Sequence, residues 1–465
     1  MLLPLLLSAV APQEGQLALT PDPDGPRGAL RGSYEVYEDR ERRDGRRLHL
    51  DVVVYRATGE EPAPEPIFWI AGGPGQRATA VAPQWSQSRL RDRYDLVFVD
   101  QRGTGGDHEL ACELGGGSDL QAYLDAMFDP DFYAGCRDEL EERFDLRLYS
   151  TPIAMDDLDE VRAALGYERI HLMGGSYGTR AALVYLRRHP ATVRAAVLNG
   201  VAPLAFTNPL YHAAEAQASL ARTFADCAAD PACSAAFPEL EQAFLAVLER
   251  LEAKPARVKL ADARSGREHE VRIDRDAFAE AVRVMLYSVP SARRLPLLIQ
   301  RAYEGEYAPF AAAAVQVGRA LRDQLALGML LSVTCAEDVA RIDPADIEPA
   351  TAGTFLGDAR VRAQSAVCGG WPRAELPEGF AEPVRSTVPV LLLSGSHDPV
   401  TGPRWGSEAA RHLDNALHLV VPGAHGVGGP CVSSIVDAFL ERGTVEGLDT
   451  SCVVAMTLPP FALPD

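Results

Sequence analysis

Three residue types that can together make a reactive nucleophile stand at the ends of three apolar runs. Ser176 lies in Gly174-Gly175-Ser176-Tyr177-Gly178, which follows Ile170-His171-Leu172-Met173 and passes at once into Ala181-Ala182-Leu183-Val184-Tyr185-Leu186. Asp398 comes just after Val390-Leu391-Leu392-Leu393, and His425 just after Leu417-His418-Leu419-Val420-Val421. A serine hydroxyl is a poor nucleophile at neutral pH. It needs an imidazole to take its proton and a carboxylate to hold and stabilise that imidazole. The chemistry these groups could do is acyl transfer through a covalent intermediate on Ser176, with His425 as base and Asp398 as the orienting acid.

The spacing around Ser176 predicts a strand, a sharp turn and a helix. Flanking glycines are required where a Cβ would strike the neighbouring backbone. The order serine, acid, histidine, with both partners on loops after late strands, is the order this elbow is found with. His397 is a competing base, but it precedes the acid and ranks below His425. Asn199 occupies the alternative place for the acid, one strand earlier, and an amide cannot supply the charge that stabilises an imidazolium. The oxyanion formed on attack needs two backbone N–H groups: one from Tyr177, the other from the Gly72-Gly73 loop, where Pro74 has none to give.

The elements that must position these groups are legible as an alternation. Ser33–Tyr37 and Leu48–Tyr55 read as an antiparallel hairpin. Ile67–Ile70, Tyr94–Val99, Ile170–Met173, Ala195–Val201, Val388–Leu393 and Leu417–Val421 are continuous apolar runs, as strands buried on both faces are. Helical stretches such as Asp156–Leu165 separate them. The fold class expected is α/β, a mostly parallel central sheet with helices on both faces. From 203 to 383 the alternation stops and the chain becomes mainly amphipathic helix with one hairpin, Val258–Leu260 to Val271–Ile273. That stretch reads as a helical cap over the strand ends. The expected organisation is a first core part at 28–202, the cap at 203–383 and a second core part at 384–465.

Composition narrows the partners. The 465 residues carry 45 Lys and Arg against 65 Asp and Glu, a formal charge of −20, which argues against nucleic acid or an anionic membrane face. No apolar run suffices for a membrane span. Residues 1–11, apolar and ending Ala9-Val10-Ala11, resemble a secretory signal without a basic start. The eight cysteines fall into local pairs, Cys112 with Cys136, Cys227 with Cys233, Cys335 with Cys368 and Cys431 with Cys452, one of many pairings the count allows. With no Cys-x-x-Cys and no His cluster beside them, disulfides in an exported chain are expected rather than zinc or thiol redox chemistry. No metal or organic cofactor is implied, because no zinc-peptidase, dinucleotide or phosphate-loop motif is present.

Ala71-Gly72-Gly73-Pro74-Gly75, Asp100-Gln101-Arg102-Gly103, Gly174 to Arg180 and Ser394 to Val400 together resemble the proline iminopeptidase and tripeptidyl aminopeptidase group of α/β hydrolases. Cys227 to Cys233, Ser332 to Asp338 and the tail cysteines resemble motifs of its exported tripeptidyl branch. Ala71 departs from the histidine that many iminopeptidases carry there. The resemblance implies an α/β-hydrolase fold and release of one or a few residues from a peptide's free N-terminus. An anion must then meet the substrate ammonium: Glu337 is the candidate, with Asp338 second. Arg180 either binds a substrate carboxylate or pairs with a neighbouring acid. The competing expectation is a capped esterase or amidase acting on a small molecule. A catalytically silent binding protein would be expected to lack a triad member, and here all three are present.

Overall fold

The computed structural model describes residues 17–112 and 119–464, so the signal-like segment 1–11 lies outside the described residues. The strands are β1 (Thr20–Pro21), β2 (Ala29–Tyr37), β3 (Arg47–Tyr55), β4 (Ile67–Ile70), β5 (Leu96–Val99), β6 (Ile170–Gly175), β7 (Val193–Asn199), β8 (Ala256–Ala261), β9 (Glu268–Ile273), β10 (Val390–Gly395) and β11 (Ala416–Val421). One sheet runs in the order β1-β2-β3-β5-β4-β6-β7-β10-β11, and β8 and β9 form a separate hairpin. The β1, β2, β3 and β5 neighbours are antiparallel, and every pairing from β5 through β4, β6, β7 and β10 to β11 is parallel. This is the α/β-hydrolase fold.

The central parallel strands are mainly apolar because both faces of the sheet are covered, whereas β11 at the edge is only partly buried, with Val420 45% exposed. Phe68, Ile70, Val97, Val99, Val390 and Leu392 point to one core, shared with the helices Thr151–Ala164 and Tyr177–Arg188. Their alternates Ile67, Leu96, Phe98, Leu391 and Leu393 point to another, closed by Val432, Ile435 and Phe439 of the helix Pro430–Arg442. The period of two thus separates two cores rather than core from solvent. The structure joins Cys112–Cys136, Cys227–Cys233, Cys335–Cys368 and Cys431–Cys452 as disulfides.

Residues 203–383 do not pack as one unit. The helices between His212 and Arg322, with β8 and β9, build a core of their own that Leu120, Leu124 and Phe461 join from outside the segment. Leu327, Met329, Leu330, Leu331, Val333 and Cys335 instead belong to the core beneath the sheet, as do Val367, Trp371 and Phe380. The reason lies in the helix Leu327–Glu337, in which all eleven residues are buried. A helix that is apolar all round has no face to offer water and must sit inside a larger core.

That helix also corrects a boundary. The helix expected from Asp156 begins five residues earlier, at Thr151, with Pro152 in its first turn. Ser150 gives it no side-chain cap; the carboxylate of Glu337 does so instead, accepting the Thr151 N–H at 2.6 Å and the Thr151 hydroxyl at 2.8 Å. Glu337 is 0% exposed, and burial raises its carboxyl to about 7 against the opposing pull of Arg180 and of the two Thr151 hydrogen bonds. Between the ordinary carboxylate value and about 7, the folded protein holds a proton that the unfolded chain has released. Stability carried by this group therefore falls as pH rises through that window. The expected outcome is that unfolding free energies of Glu337→Gln, measured relative to the native chain by denaturant titration, improve between pH 5 and pH 8 by on the order of 3 kcal/mol. Buried histidines cancel in that difference, and a pH-independent difference would contradict the assignment.

Candidate active site

Ser176 sits at the end of β6 with φ +55° and ψ −124°, a region that residues with a Cβ rarely enter. The turn is held by contact. A Cβ at Gly178 would overlap the Ile70 carbonyl oxygen at the end of β4, and one at Gly174 would overlap the carbonyl of Gly178. Ser176 N–H donates to Asn199 O at 3.0 Å, tying the turn to β7. The helix Tyr177–Arg188 starts at the next residue.

Asp398, 0% exposed, stands on the loop after β10. Its Oδ1 accepts the N–H groups of Val400 at 2.8 Å and Thr401 at 2.9 Å, and its Oδ2 accepts the Thr401 hydroxyl at 3.0 Å. The local turn and the acid's reach toward His425 therefore coexist. His425 Nδ1 lies 3.0 Å from Asp398 Oδ1 and 2.9 Å from Oδ2. A carboxylate can only accept, so Nδ1 carries the shared proton and Nε2 is left basic. Among the described residues no hydrogen bond joins the Ser176 hydroxyl to that imidazole, yet both side chains line one cavity of about 340 Å³. The hydroxyl turns about a single bond, and such nucleophile–base bonds commonly close only around substrate.

His397 faces elsewhere, with Nδ1 2.9 Å from the Ser396 hydroxyl and Nε2 3.1 Å from Asp226. For the oxyanion, the expected trio reduces to two. The Gly72 N–H donates to Gln76 Oε1 at 3.2 Å, whereas the Gly73 and Tyr177 N–H groups have no acceptor among the described residues. The Gly72–Gln76 loop is itself pinned from above, by Ala326 N–H to Gly75 O at 3.0 Å and Gln76 Nε2 to Gln324 Oε1 at 2.9 Å.

The substrate-binding expectations change order. Glu337, spent on Thr151, is not among the residues lining the cavity, because a carboxylate at the end of a wholly buried helix is taken by the nearest orphan N–H groups. Asp338 does line it, as the only acid among its described residues, and accepts Arg180 Nη1 with both oxygens at 2.8 Å. Arg180, 3% exposed, also donates to the Phe206 carbonyl; the structural pairing is the one observed.

Several positioning residues were not found in the sequence. Thr401, three residues past Asp398, lies 3.4 Å from His425 Nδ1. Tyr287 accepts the His425 N–H on its carbonyl at 3.1 Å and packs its ring 5.1 Å from the imidazole. Asn199 clamps the His425 loop by donating to Val427 O at 2.8 Å and accepting Val427 N–H at 2.9 Å. A serine or threonine closing an Asx turn was a usable signal for Thr401; nothing local could have placed Tyr287, which is remote in sequence.

Residues 354–452 match the family described as TAP-like protein. The serine protease Hip1 of Mycobacterium tuberculosis is 26% identical over 483 residues, covering 92% of this chain and 88% of that protein. The tripeptidyl aminopeptidase of Streptomyces coelicolor is 28% identical over 154 residues, 29% of this chain and 28% of that one. The proline iminopeptidase of Neisseria gonorrhoeae is 26% identical over 148 residues, 32% and 36%. Among solved structures, a proline iminopeptidase of Mycobacterium smegmatis superposes with a TM-score of 0.37 at 16% identity, covering 88% of this chain and 98% of that one. The sheet order is that of the α/β-hydrolase fold, and the sequence is similar to proteins named proline iminopeptidase and tripeptidyl aminopeptidase.

Proposed function

We propose that this chain is a serine peptidase that releases N-terminal residues or short peptides through an acyl-enzyme on Ser176. The observation that carries the reading is the meeting, at one cavity, of the strained Ser176, of His425 held by buried Asp398, and of two unengaged N–H groups at Gly73 and Tyr177. His425 Nε2 takes the hydroxyl proton as Ser176 Oγ attacks the substrate carbonyl, and the two N–H groups receive the oxyanion. The C–N bond then breaks, and His425 passes its proton to the departing amine. Water, deprotonated by the same imidazole, releases the acyl group. A free substrate ammonium would find Asp338, whose oxygens keep lone pairs beyond those given to Arg180.

The names of the relatives support peptide chemistry, and the cavity size suits a short peptide end rather than a folded chain. Four disulfides, with no membrane-crossing helix among the described residues, support an exported location. A second reading, a capped esterase or amidase, draws on the apolar part of the lining at Trp69, Met127, Phe206, Leu321, Leu325 and Leu330.

Chromogenic aminoacyl, prolyl and tripeptidyl amides, each with a free or blocked amino end, set beside short esters, separate the two. Turnover confined to free-amine amides is the expected result; turnover of blocked amides and esters alone would favour the second reading. Ser176→Ala is expected to remain folded and lose at least about 1000-fold in kcat, as removal of a triad nucleophile does. Asn199→Ala, which removes the side-chain clamp on the His425 loop, is expected to lower kcat by roughly 10-fold to 100-fold with KM little changed. An equal fall in thermal stability and no kcat effect would mean that the clamp serves the fold alone.

A further inference from the structure

The wall of the cavity beyond His425 is cationic in a chain whose net charge is −20. Arg283 and Arg360 both line it, and both lean on one carboxylate. Arg283 donates Nε to Glu280 Oε2 at 2.8 Å and Nη2 to Oε1, while Arg360 Nη1 reaches Glu280 Oε1 at 3.2 Å. Arg322 lies within Coulomb reach of Glu280 and Arg283, and its hydrogen bonds run to the carbonyls of Ala122 and Asp125 rather than to an acid. Arg283 and Arg360 therefore share Glu280, while Arg322 also has Asp125 within Coulomb reach. The other arginine of the cavity, Arg180, is already matched by Asp338.

Arg360 is the least satisfied member. Its Nε is buried without a hydrogen-bond partner, and its side chain is 19% exposed. Burial and the neighbouring Arg283 draw its guanidinium down to about 10, whereas Glu280, against the upward pull of burial, is held at about 2 by Arg283 and Arg360. His212 adds a second unsatisfied group: 4% exposed, it lines the same cavity with Nδ1 unpartnered, and Arg360, Arg283 and His425 all act on it electrostatically. Burial first, then Arg360 and Arg283, keep it neutral, and a neutral imidazole can donate one hydrogen bond. Arg283 Nη1 donates to the Tyr287 hydroxyl at 2.8 Å, and the Tyr287 ring rests on His425, so this wall is one tyrosine away from the catalytic imidazole.

Buried positive charge in excess of its acids is costly unless an anion completes it. We propose that Arg283 and Arg360, with His212 beside them, form a carboxylate-binding subsite, so that the enzyme selects substrates carrying a carboxylate a short distance from the scissile bond. The assignment rests on the serine hydrolase reading of the same cavity. Two sources share the chemistry: an acidic side chain in the acyl part, or the free carboxylate of a short departing peptide.

Matched substrate pairs separate the sources. Tripeptidyl nitroanilides with Glu or Gln at each position probe the acyl part; di- to tetrapeptides as C-terminal acid or carboxamide probe the departing part. In one arm the native protein is expected to favour the carboxylate by about 10-fold or more in kcat/KM, the scale of a charge-assisted hydrogen bond. Arg360→Gln should reduce that ratio at least fivefold, and Arg360→Lys should restore part of it. Loss of activity equal on both members of a pair, or a ratio near one in both arms, would overturn the subsite and leave the hydrolase standing. Labelling of Ser176 by a fluorophosphonate, which carries no carboxylate, reports the nucleophile independently. Hexanoate is expected to slow that labelling more than hexanamide does in the native protein and not in Arg360→Gln. No labelling at all would overturn the hydrolase reading, and the subsite with it.

Discussion

The fixed point of this structure is the contact between the turn after β6 and the end of β4. A serine with φ +55° persists only where its surroundings allow no relaxed alternative. Here the alternative is closed by backbone: Gly178 passes so near the Ile70 carbonyl that no side chain fits, and Ser176 N–H is held on the other side by Asn199 O. The strain lifts the hydroxyl off the sheet and leaves the Tyr177 N–H, first of the following helix, without an intrahelical partner. One constraint thus sets both the direction of the Ser176 hydroxyl and the freedom of the Tyr177 N–H, the two features the proposed mechanism uses.

Everything else at the cavity is registered to that turn by long-range contacts. Asn199, at the end of β7, holds the serine turn through its carbonyl and the histidine loop through its amide, so Ser176 and His425 are tied to one residue. The insertion contributes the remaining walls in two different ways. Its segment around Gln324 to Leu327 is bound to the Gly72–Gln76 loop and continues into a helix buried in the main core. The helix Arg275–Met285 carries Arg283 on a separate core, and Tyr287 follows just past its end.

How much of this the amino-acid sequence disclosed depended on whether a feature was local. The parallel strands were legible because burial on both faces makes each a short continuous apolar run, and Leu391 and Leu392 need no partner in sequence to declare it. Ser176, Asp398 and His425 stood out because each follows such a run on a turn rich in glycine or proline, and the structure pairs His425 with Asp398 and sets Ser176 and His425 on one cavity. The roles of Glu337 and Asp338 were not legible. They are adjacent, and which of two neighbouring carboxylates turns to Thr151 and which to Arg180 is fixed by partners at residues 151 and 180. The start of the helix at Thr151 was missed for the same reason: its cap comes from 186 residues away. Leu327–Glu337 carried a local signal, apolar on every side, that separates it from the amphipathic helices around it.

The charge arrangement explains why a strongly acidic chain can keep an arginine-lined cavity. At physiological salt the field of the surface acids decays within about 8 Å, so it neither neutralises the inner guanidinium groups nor offers them a partner. What holds them is Glu280, and one carboxylate shared between Arg283 and Arg360, with Arg322 nearby, satisfies geometry better than charge. Replacing the pair by apolar side chains would pack as well and remove the desolvation cost. A wall that keeps its excess cations near His425 therefore makes physical sense as the proposed receptor for an anion, opposite Arg180 of the helix Tyr177–Arg188, which is matched by Asp338 just past the helix Leu327–Glu337. On the proposed peptidase reading, a cavity polarised in this way would set the direction in which a short zwitterionic peptide enters.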